Sequence, residues 1–293
     1  MKQPLRTVGI FGKYRDPSVG GHVERLVPYL RERKLEVFVE ESTASLVESS
    51  LAPHRTVEAL CHTIDVAIVI GGDGTLLNAG RSLAPCGVPI IGVNLGRLGF
   101  LADIPVENMI VEIGKILDGD FLTEKRMLLT AEVRRDDKTV FESCALNDVA
   151  IAKGELARLI EFETWLDGEF VTSTRGDGII IASPTGSTAY ALSAGGPILH
   201  PNLPAIAVVP ICPHTLSHRP IVVSGDSMIE IVMSGGTAGQ NSHITFDGQS
   251  TFMLQDNDRV RIRRANMPVE LVHPASRSHF DVLRRKMHWG RKL

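Results

Sequence analysis

Along the first part of the chain, short runs of aliphatic residues alternate with stretches whose apolar positions recur every three to four residues. Residues 5–12 (Leu-Arg-Thr-Val-Gly-Ile-Phe-Gly), Val37-Phe38-Val39, Asp65 to Ile70 and Val88 to Val93 read as buried strands. Between them Val23, Leu26, Val27 and Leu30 keep helical spacing, with Pro28 placed to kink that helix. Residues 43–62 are weakly patterned, helix and loop, while Leu76 to Leu83 and Val106 to Leu117 read as helices. Strands apolar on both faces and alternating with helices predict a parallel sheet covered on both sides. In such sheets ligands bind outside the carboxyl ends of the strands.

From about residue 122 the period changes. Leu128 to Arg134, Val140 to Ala152 and Leu159 to Leu166 favour short strands, with turns at Asp136-Asp137, Lys153-Gly154 and Asp167-Gly168. Strand-like runs follow at 179–182, 205–211, 220–223, 228–233, 243–246, 251–254, 259–263 and 269–272. The pattern predicts an α/β chain: a Rossmann-like parallel-sheet domain over 1–122 and an all-β, sandwich-like domain over 123–273. Ser276 to Trp289 reads as a terminal helix with Phe280, Leu283 and Met287 on one face.

Composition narrows the partners. A chain of 293 residues, 43% hydrophobic and 22% charged, has material for a large core, and two domains are the default. A net charge of −3 argues against a nucleic-acid or membrane-surface partner. The basic run Arg261, Arg263, Arg264 alternates with apolar residues, as on a solvated strand face. No apolar run approaches a membrane span, and the N-terminus lacks a signal-peptide core, so a cytoplasmic protein is expected. Cys61, Cys86, Cys144 and Cys212 show no metal-ligand spacing and are expected to be reduced.

Four stretches carry candidate chemistry. Ile68-Val69-Ile70-Gly71-Gly72-Asp73-Gly74-Thr75 runs from a strand into a glycine turn. Its glycines can adopt positive φ and let backbone amides converge on an anion, with Thr75 as the N-cap of the following helix. An acid inside an anion cradle points to phosphoryl transfer; a tight turn with a capping Asp is the other reading. The second is Ala182-Ser183-Pro184-Thr185-Gly186-Ser187-Thr188-Ala189-Tyr190-Ala191-Leu192-Ser193, richer in hydroxyls than capping requires and with Tyr190 as a stacking face for a purine nucleoside. The third, Asn147-Asp148, sets an amide and a carboxylate in an apolar strand, suited to an adenine edge and ribose hydroxyls. The fourth, Arg175-Gly176-Asp177-Gly178, is either a substrate-side turn or a surface turn with a local ion pair. Neither G-x-x-x-x-G-K-[ST] nor a complete dinucleotide fingerprint is present, which excludes a P-loop kinase and disfavours a Rossmann dehydrogenase.

Gly-Gly-Asp-Gly-Thr after a buried strand, then Asn94-Leu-Gly-Arg-Leu-Gly-Phe-Leu101, Asn147-Asp148 and Pro184-Thr-Gly-Ser-Thr-Ala-Tyr190, in this order, resemble the bacterial NAD kinase family over essentially the whole chain. Phosphofructokinases and lipid kinases share only the first motif, and Leu76-Leu77-Asn78-Ala79 lacks the Glu that lipid kinases carry there. The resemblance implies ATP-dependent phosphorylation of the adenosine-ribose 2′-hydroxyl of NAD, with a divalent cation such as Mg²⁺. It implies Asp73 as the catalytic acid-base residue, and Gly71, Gly72, Gly74 and Thr75 at the ATP phosphates. NAD would be held by Asp73, Gly74, Asn147, Asp148 and the run Thr188, Ala189, Tyr190, Ala191, Leu192 and Ser193, with Asp177 on the nicotinamide amide. Arg158, Arg175 and Gln249 fall at substrate-side positions, and Phe100 packs on the ligand. The resemblance further implies a terminal helix, 274–293, packed on the first domain, and a homodimer or homotetramer. Arg175 beside the nicotinamide raises the expectation of a preference for oxidised NAD, provided its charge is engaged elsewhere.

Overall fold

The computed structural model describes residues 5–48, 50–96, 98–154, 159–215, 217–234 and 242–289. The chain divides into two compact units, residues 1–125 with 269–293, and residues 126–268.

Unit 1 runs β1 (Thr7–Gly12), α1 (Ser18–Glu32), β2 (Glu36–Glu40), α2 (Glu41–Ala44), β3 (His54–Arg55), α3 (Val57–Cys61), β4 (Val66–Gly71), α4 (Asp73–Leu83), β5 (Ile90–Asn94), β6 (Ile104–Pro105), α5 (Met109–Leu117) and β7 (Phe121–Arg126). The sheet order is β3-β2-β1-β4-β5, with parallel pairing throughout that stretch and β6 beside β5. The order reverses between β1 and β4, and such a switch point opens a crevice at the strand carboxyl ends. Every residue of β4 is buried, as its unbroken Val/Ile run requires. Val19, Val23, Leu26, Val27 and Leu30 of α1 pack on one sheet face with Met109, Ile113 and Ile116 of α5. Each such side chain contributes about 1.5–3 kcal/mol by leaving water.

Unit 2 continues with β8 (Leu129–Arg135), β9 (Lys138–Ala145), β10 (Asp148–Lys153), β11 (Ile160–Leu166), β12 (Glu169–Gly176), β13 (Gly178–Ala182), α6 (Tyr190–Ser193), β14 (Ala205–Ile211), β15 (Ile221–Ser224), β16 (Ile229–Met233), β17 (Ser242–Phe246), β18 (Ser250–Leu254) and β19 (Arg259–Arg264). Two antiparallel sheets, β15-β14-β13-β10-β17-β18 and β12-β11-β16-β19-β8-β9, share one core. Alternate residues supply it, among them Val149 and Ile151, Phe162, Ile179 and Ile181, Ile229 and Ile231, and Val260 and Ile262. The opposite face of β10, β13 and β14 is also covered, where Ala150, Ile180, Ala182, Ala207 and Val209 meet Ala191 and Leu199. That second layer explains why Gly178–Ala182 is wholly buried.

The chain then adds β20 (Val269–Pro274) and α7 (His279–Met287). The run 269–272, read from sequence with the β-rich half, instead pairs in parallel with β5 and sits between β5 and β7. A five- or six-residue apolar strand carries no mark of which sheet it joins. The single strand expected over 140–152 is broken at Leu146-Asn147 into β9 and β10. In α7 the buried residues are Val282 and Leu283, whereas Phe280 is exposed. Cys61 and Cys86, expected to be reduced, are joined in a disulfide with Cα atoms 5.6 Å apart, where α3 and the turn after α4 come together. Among the described residues no helix is long and apolar enough to cross a membrane.

Candidate active site

In unit 1, β4 ends at Gly71 and α4 starts at once, with Gly72 as N-cap and Asp73 in the first turn. The helix therefore begins earlier than the Thr75 cap expected from sequence. None of Gly71, Gly72 and Gly74 takes a positive φ, so the turn does not use that freedom. A carboxylate in a first helical turn complements the helix dipole, but here the side chain does more. Asp73 Oδ2 accepts from the Phe100 amide at 2.8 Å, and Oδ1 accepts from Leu101 and Ala102 at 3.1 and 3.0 Å. Gly99 makes this approach feasible, because a Cβ there would collide with the Asp73 carboxylate. Asn94, buried at the end of β5, shapes the same loop by donating to the Ala102 carbonyl at 3.1 Å and accepting from the Gly96 amide at 2.8 Å. The Asn-Leu-Gly-x-Leu-Gly-Phe-Leu motif is thus a cradle for Asp73. The Phe100 ring, expected on the ligand, lies under the Lys286 ammonium at 5.8 Å.

In unit 2, Asp247 plays the corresponding part. Its carboxylate accepts from the amides of Leu146, Asn147 and Asp148 at 3.0, 2.7 and 3.2 Å. That fixes the break between β9 and β10 and sets Asn147 and Asp148 on one short segment. The Asp148 carboxyl, 5% exposed, is pushed up to about 7 by burial and, second, by the Asp247 charge. Near neutral pH it can accept or donate a hydrogen bond.

The hydroxyl-rich run lies on the outer layer over β13. Ser183 Oγ donates to the Leu146 carbonyl at 2.5 Å, and its amide donates to the Asn147 carbonyl at 2.8 Å. Ser187 Oγ donates to the Pro184 carbonyl at 2.6 Å and accepts from the Leu199 amide at 2.9 Å. Arg126 donates to Thr185 at 3.3 Å, and Thr188 to the Thr185 carbonyl at 3.3 Å. The surplus of hydroxyls, read from sequence as ligand-facing, thus ties the segment to the 146–147 backbone and to itself. Gly186 packs so tightly on Asn147 that any Cβ would strike its carbonyl. Tyr190 is 47% exposed and presents an open ring, with Ser193 also exposed and Ala189 and Leu192 half-buried. Ala191, expected on the ligand, is instead fully buried against β13 and β14, so its methyl is unavailable to one.

Asp177 and Arg175 do not pair with each other. Lys153 holds Asp177 at 2.6 Å, and Glu161 meets Arg175 at 3.4 Å, since each projects toward a neighbouring strand. Gln249 is exposed at the β17–β18 turn. Arg158 lies outside the described residues. Sequence reasoning missed Asp247, Lys153 and Glu161 as partners; the only trace of the first was the Asp247-Gly248 turn. Among the described residues no three or more His, Cys, Asp or Glu side chains could hold a metal ion.

The acid fixed at a helix N-terminus in unit 1, and in unit 2 the half-buried Asn147 amide beside the buried Asp148 carboxyl, are groups suited to a nucleotide-using phosphotransferase. The chain matches the ATP-NAD kinase N-terminal domain over residues 8–121 and the ATP-NAD kinase C-terminal domain over 146–274. It is 48% identical over 293 residues to an NAD kinase of Thiobacillus denitrificans, covering 100% of both chains. Among solved structures, the NAD kinase of Archaeoglobus fulgidus in complex with ATP superposes with a TM-score of 0.76 at 28% identity, covering 96% of this chain and 98% of that one. The yeast NADH kinase complexed with NADH gives a TM-score of 0.88 at 24% identity, over 100% of this chain and 90% of that one, and shares the fold. The chain belongs to the NAD kinase family.

Proposed function

We infer that the protein transfers the γ-phosphoryl group of ATP to the adenosine-ribose 2′-hydroxyl of NAD, giving NADP and ADP. The observation that carries this reading is Asp73, held at the start of α4 by three amides. A carboxylate offers about four lone-pair positions, and three are taken, leaving one acceptor for a substrate hydroxyl. The 2′-hydroxyl donates to that position and gives up its proton there as its oxygen attacks the γ-phosphorus, while the bond to the β-phosphate oxygen breaks. Gly71, Gly72, Gly74 and Thr75 lie at the α4 N-terminus, where a helix end favours phosphate. Asn147 and Asp148 hold the adenosine half, Tyr190 stacks, and Asp177, oriented by Lys153, meets the nicotinamide amide. Thr188, Ala189, Leu192 and Ser193 line the nucleoside, with Arg158, Arg175 and Gln249 at the substrate side. A Mg²⁺ ion would neutralise the triphosphate. The enzyme works in the cytoplasm as a homodimer or homotetramer. Glu161 engages the Arg175 charge, which supports a preference for oxidised NAD; equal turnover of NAD and NADH would refute it.

The test is Asp73→Asn in an assay coupling NADP formation to a dehydrogenase, with ATP, Mg²⁺ and NAD. Turnover is expected to fall roughly 10²–10⁴-fold while NAD still binds, the range for losing a general base. Near-full turnover would remove Asp73 from that role. A second reading has one observation in its favour: three amide bonds are also what a purely loop-anchoring aspartate makes. A non-catalytic NAD-binding protein would form no NADP in the same assay with any metal or phosphoryl donor.

A further inference from the structure

A buried ionic cluster in unit 1 converges on the loop that holds Asp73. Arg277, 9% exposed in the turn between β20 and α7, donates from Nη2 to the Phe100 carbonyl at 3.1 Å. Its other edges are fixed: Nε lies 2.6 Å from Asp103, and Nη1 donates to Glu124 at 2.8 Å. The His273 ring sits against the same two carboxylates, at 2.9 and 3.4 Å. Asp103 follows the loop, Glu124 comes from β7, and His273 and Arg277 come from the last stretch of the chain.

The Phe100 carbonyl and the Leu101 amide belong to one peptide group. That amide donates to Asp73 Oδ1. The bonds therefore run in series, from the guanidinium to the carbonyl and through the same peptide to the Asp73 carboxylate. Hydrogen bonds in series polarise one another in a water-poor interior, so a cation on the carbonyl makes the amide a stronger donor. A buried ion cluster alone is weak as a source of stability, since apolar packing of the same volume commonly does as well. What it supplies here is direction. A guanidinium fixed on two edges aims its third at one point, which a flexible ammonium cannot do.

We propose that Arg277 is a positioning residue for the phosphoryl-transfer step, setting the Phe100–Leu101 peptide that fixes the Asp73 carboxylate. The proposal rests on Asp73 acting as the base, and Asp103, Glu124 and His273 serve it by holding the guanidinium.

The test compares full-length Arg277→Met, Arg277→Lys and Glu124→Gln with the parent, measuring kcat, KM for NAD and ATP, thermal melting, and hydrogen exchange at the Phe100–Ala102 amides. Arg277→Met is expected to lower kcat roughly 10- to 100-fold, the scale of a small misplacement of a reacting group, with both KM values within about threefold. Arg277→Lys is expected to recover part of the loss, and the 100–102 amides to exchange faster while β1 and β4 stay protected. Where Arg277→Met does not fold, Arg277→Lys and Glu124→Gln decide: a fall in kcat at unchanged melting temperature supports the proposal. Unchanged kcat overturns it, as does a fall in kcat that comes with a rise in both KM values and loss of protection in β1 and β4 as well as at the 100–102 amides. Asp73→Asn is run alongside. If it turns over normally the base assignment falls, while amide protection in the Arg277 variants still reports whether Arg277 holds the loop.

Discussion

Asp65, Asp73 and Asp247 each pin backbone amides that lie far away in sequence. Asp65 takes those of Arg6 and Thr7 at 2.8 Å each, Asp73 those of residues 100–102, and Asp247 those of 146–148. Asp148 differs, being buried beside Asp247 with its carboxyl raised to about 7. An unfolded aspartate titrates near pH 3.9, so the folded form binds the proton more tightly across the window from about 4 to about 7. The contribution of this group is complete below that window and is lost as pH rises through 7. Asp148→Asn removes the titration, so the variant should gain stability over the parent between pH 5 and pH 8, by on the order of a few kcal/mol. Denaturant unfolding at the two pH values measures it; equal differences at both would rule out the shift. The same ionisation should appear in catalysis. The carboxylate accepts a ribose hydroxyl's hydrogen bond more strongly than the neutral acid does, so the parent's kcat/KM for NAD should rise through pH 7, a rise the Asn variant should lack.

At the scale of elements, the 183–199 segment and the 146–148 break form one assembly, joined through Ser183, Gly186 and the Asp247 carboxylate. Gly186→Ala would press a methyl onto the Asn147 backbone, which cannot move without losing its bonds to Asp247. Overpacking of this kind costs about 1–3 kcal/mol, and in a chain of this size each kcal/mol lowers Tm by roughly 2–4 °C. Calorimetry should show that drop, and the coupled assay a loss in affinity for NAD. The element pattern of β1 to β5 was legible because strands buried on both faces need unbroken aliphatic runs. The motifs at 71–75, 94–101 and 184–190 were legible as motifs, but their internal division of labour was not. Which serines face ligand and which face carbonyls depends on partners brought in by folding, such as Leu146 for Ser183 and Leu199 for Ser187. The Lys153–Asp177 and Glu161–Arg175 pairs were hidden for the same reason, since antiparallel registers between β10 and β13 and between β11 and β12 create them.

For the molecule as a whole, unit 2 is contiguous in sequence and unit 1 is not. The terminal stretch carries His273 and Arg277 into a cluster with Asp103 and Glu124, so the ends of unit 1 are joined by buried charge as well as by sheet pairing. Breaking a buried pair by removing one partner costs about 3–5 kcal/mol. Arg277→Met should therefore lower the melting temperature more than Arg277→Lys, and differential scanning calorimetry would give the order.

The seat of β20 between β5 and β7 also dictates a schedule for biosynthesis. Until residue 274 has left the ribosome, β5 has β6 beside Val93 and Asn94 but lacks its β20 partner at Ile90 and Ile91, leaving that part of its edge unpaired, while the sandwich of 126–268 already has every strand it needs. Chains usually complete their first domain first; this one must complete its second domain before its first. During that interval the nascent first half presents the kind of open strand edge that recruits chaperones or pairs with a neighbouring chain. Ribosome-bound chains ending at residue 268 and extended by a linker that carries this residue out of the exit tunnel should resist proteolysis within the sandwich while the first 125 residues are still cut, and adding the final stretch should protect the first unit as well.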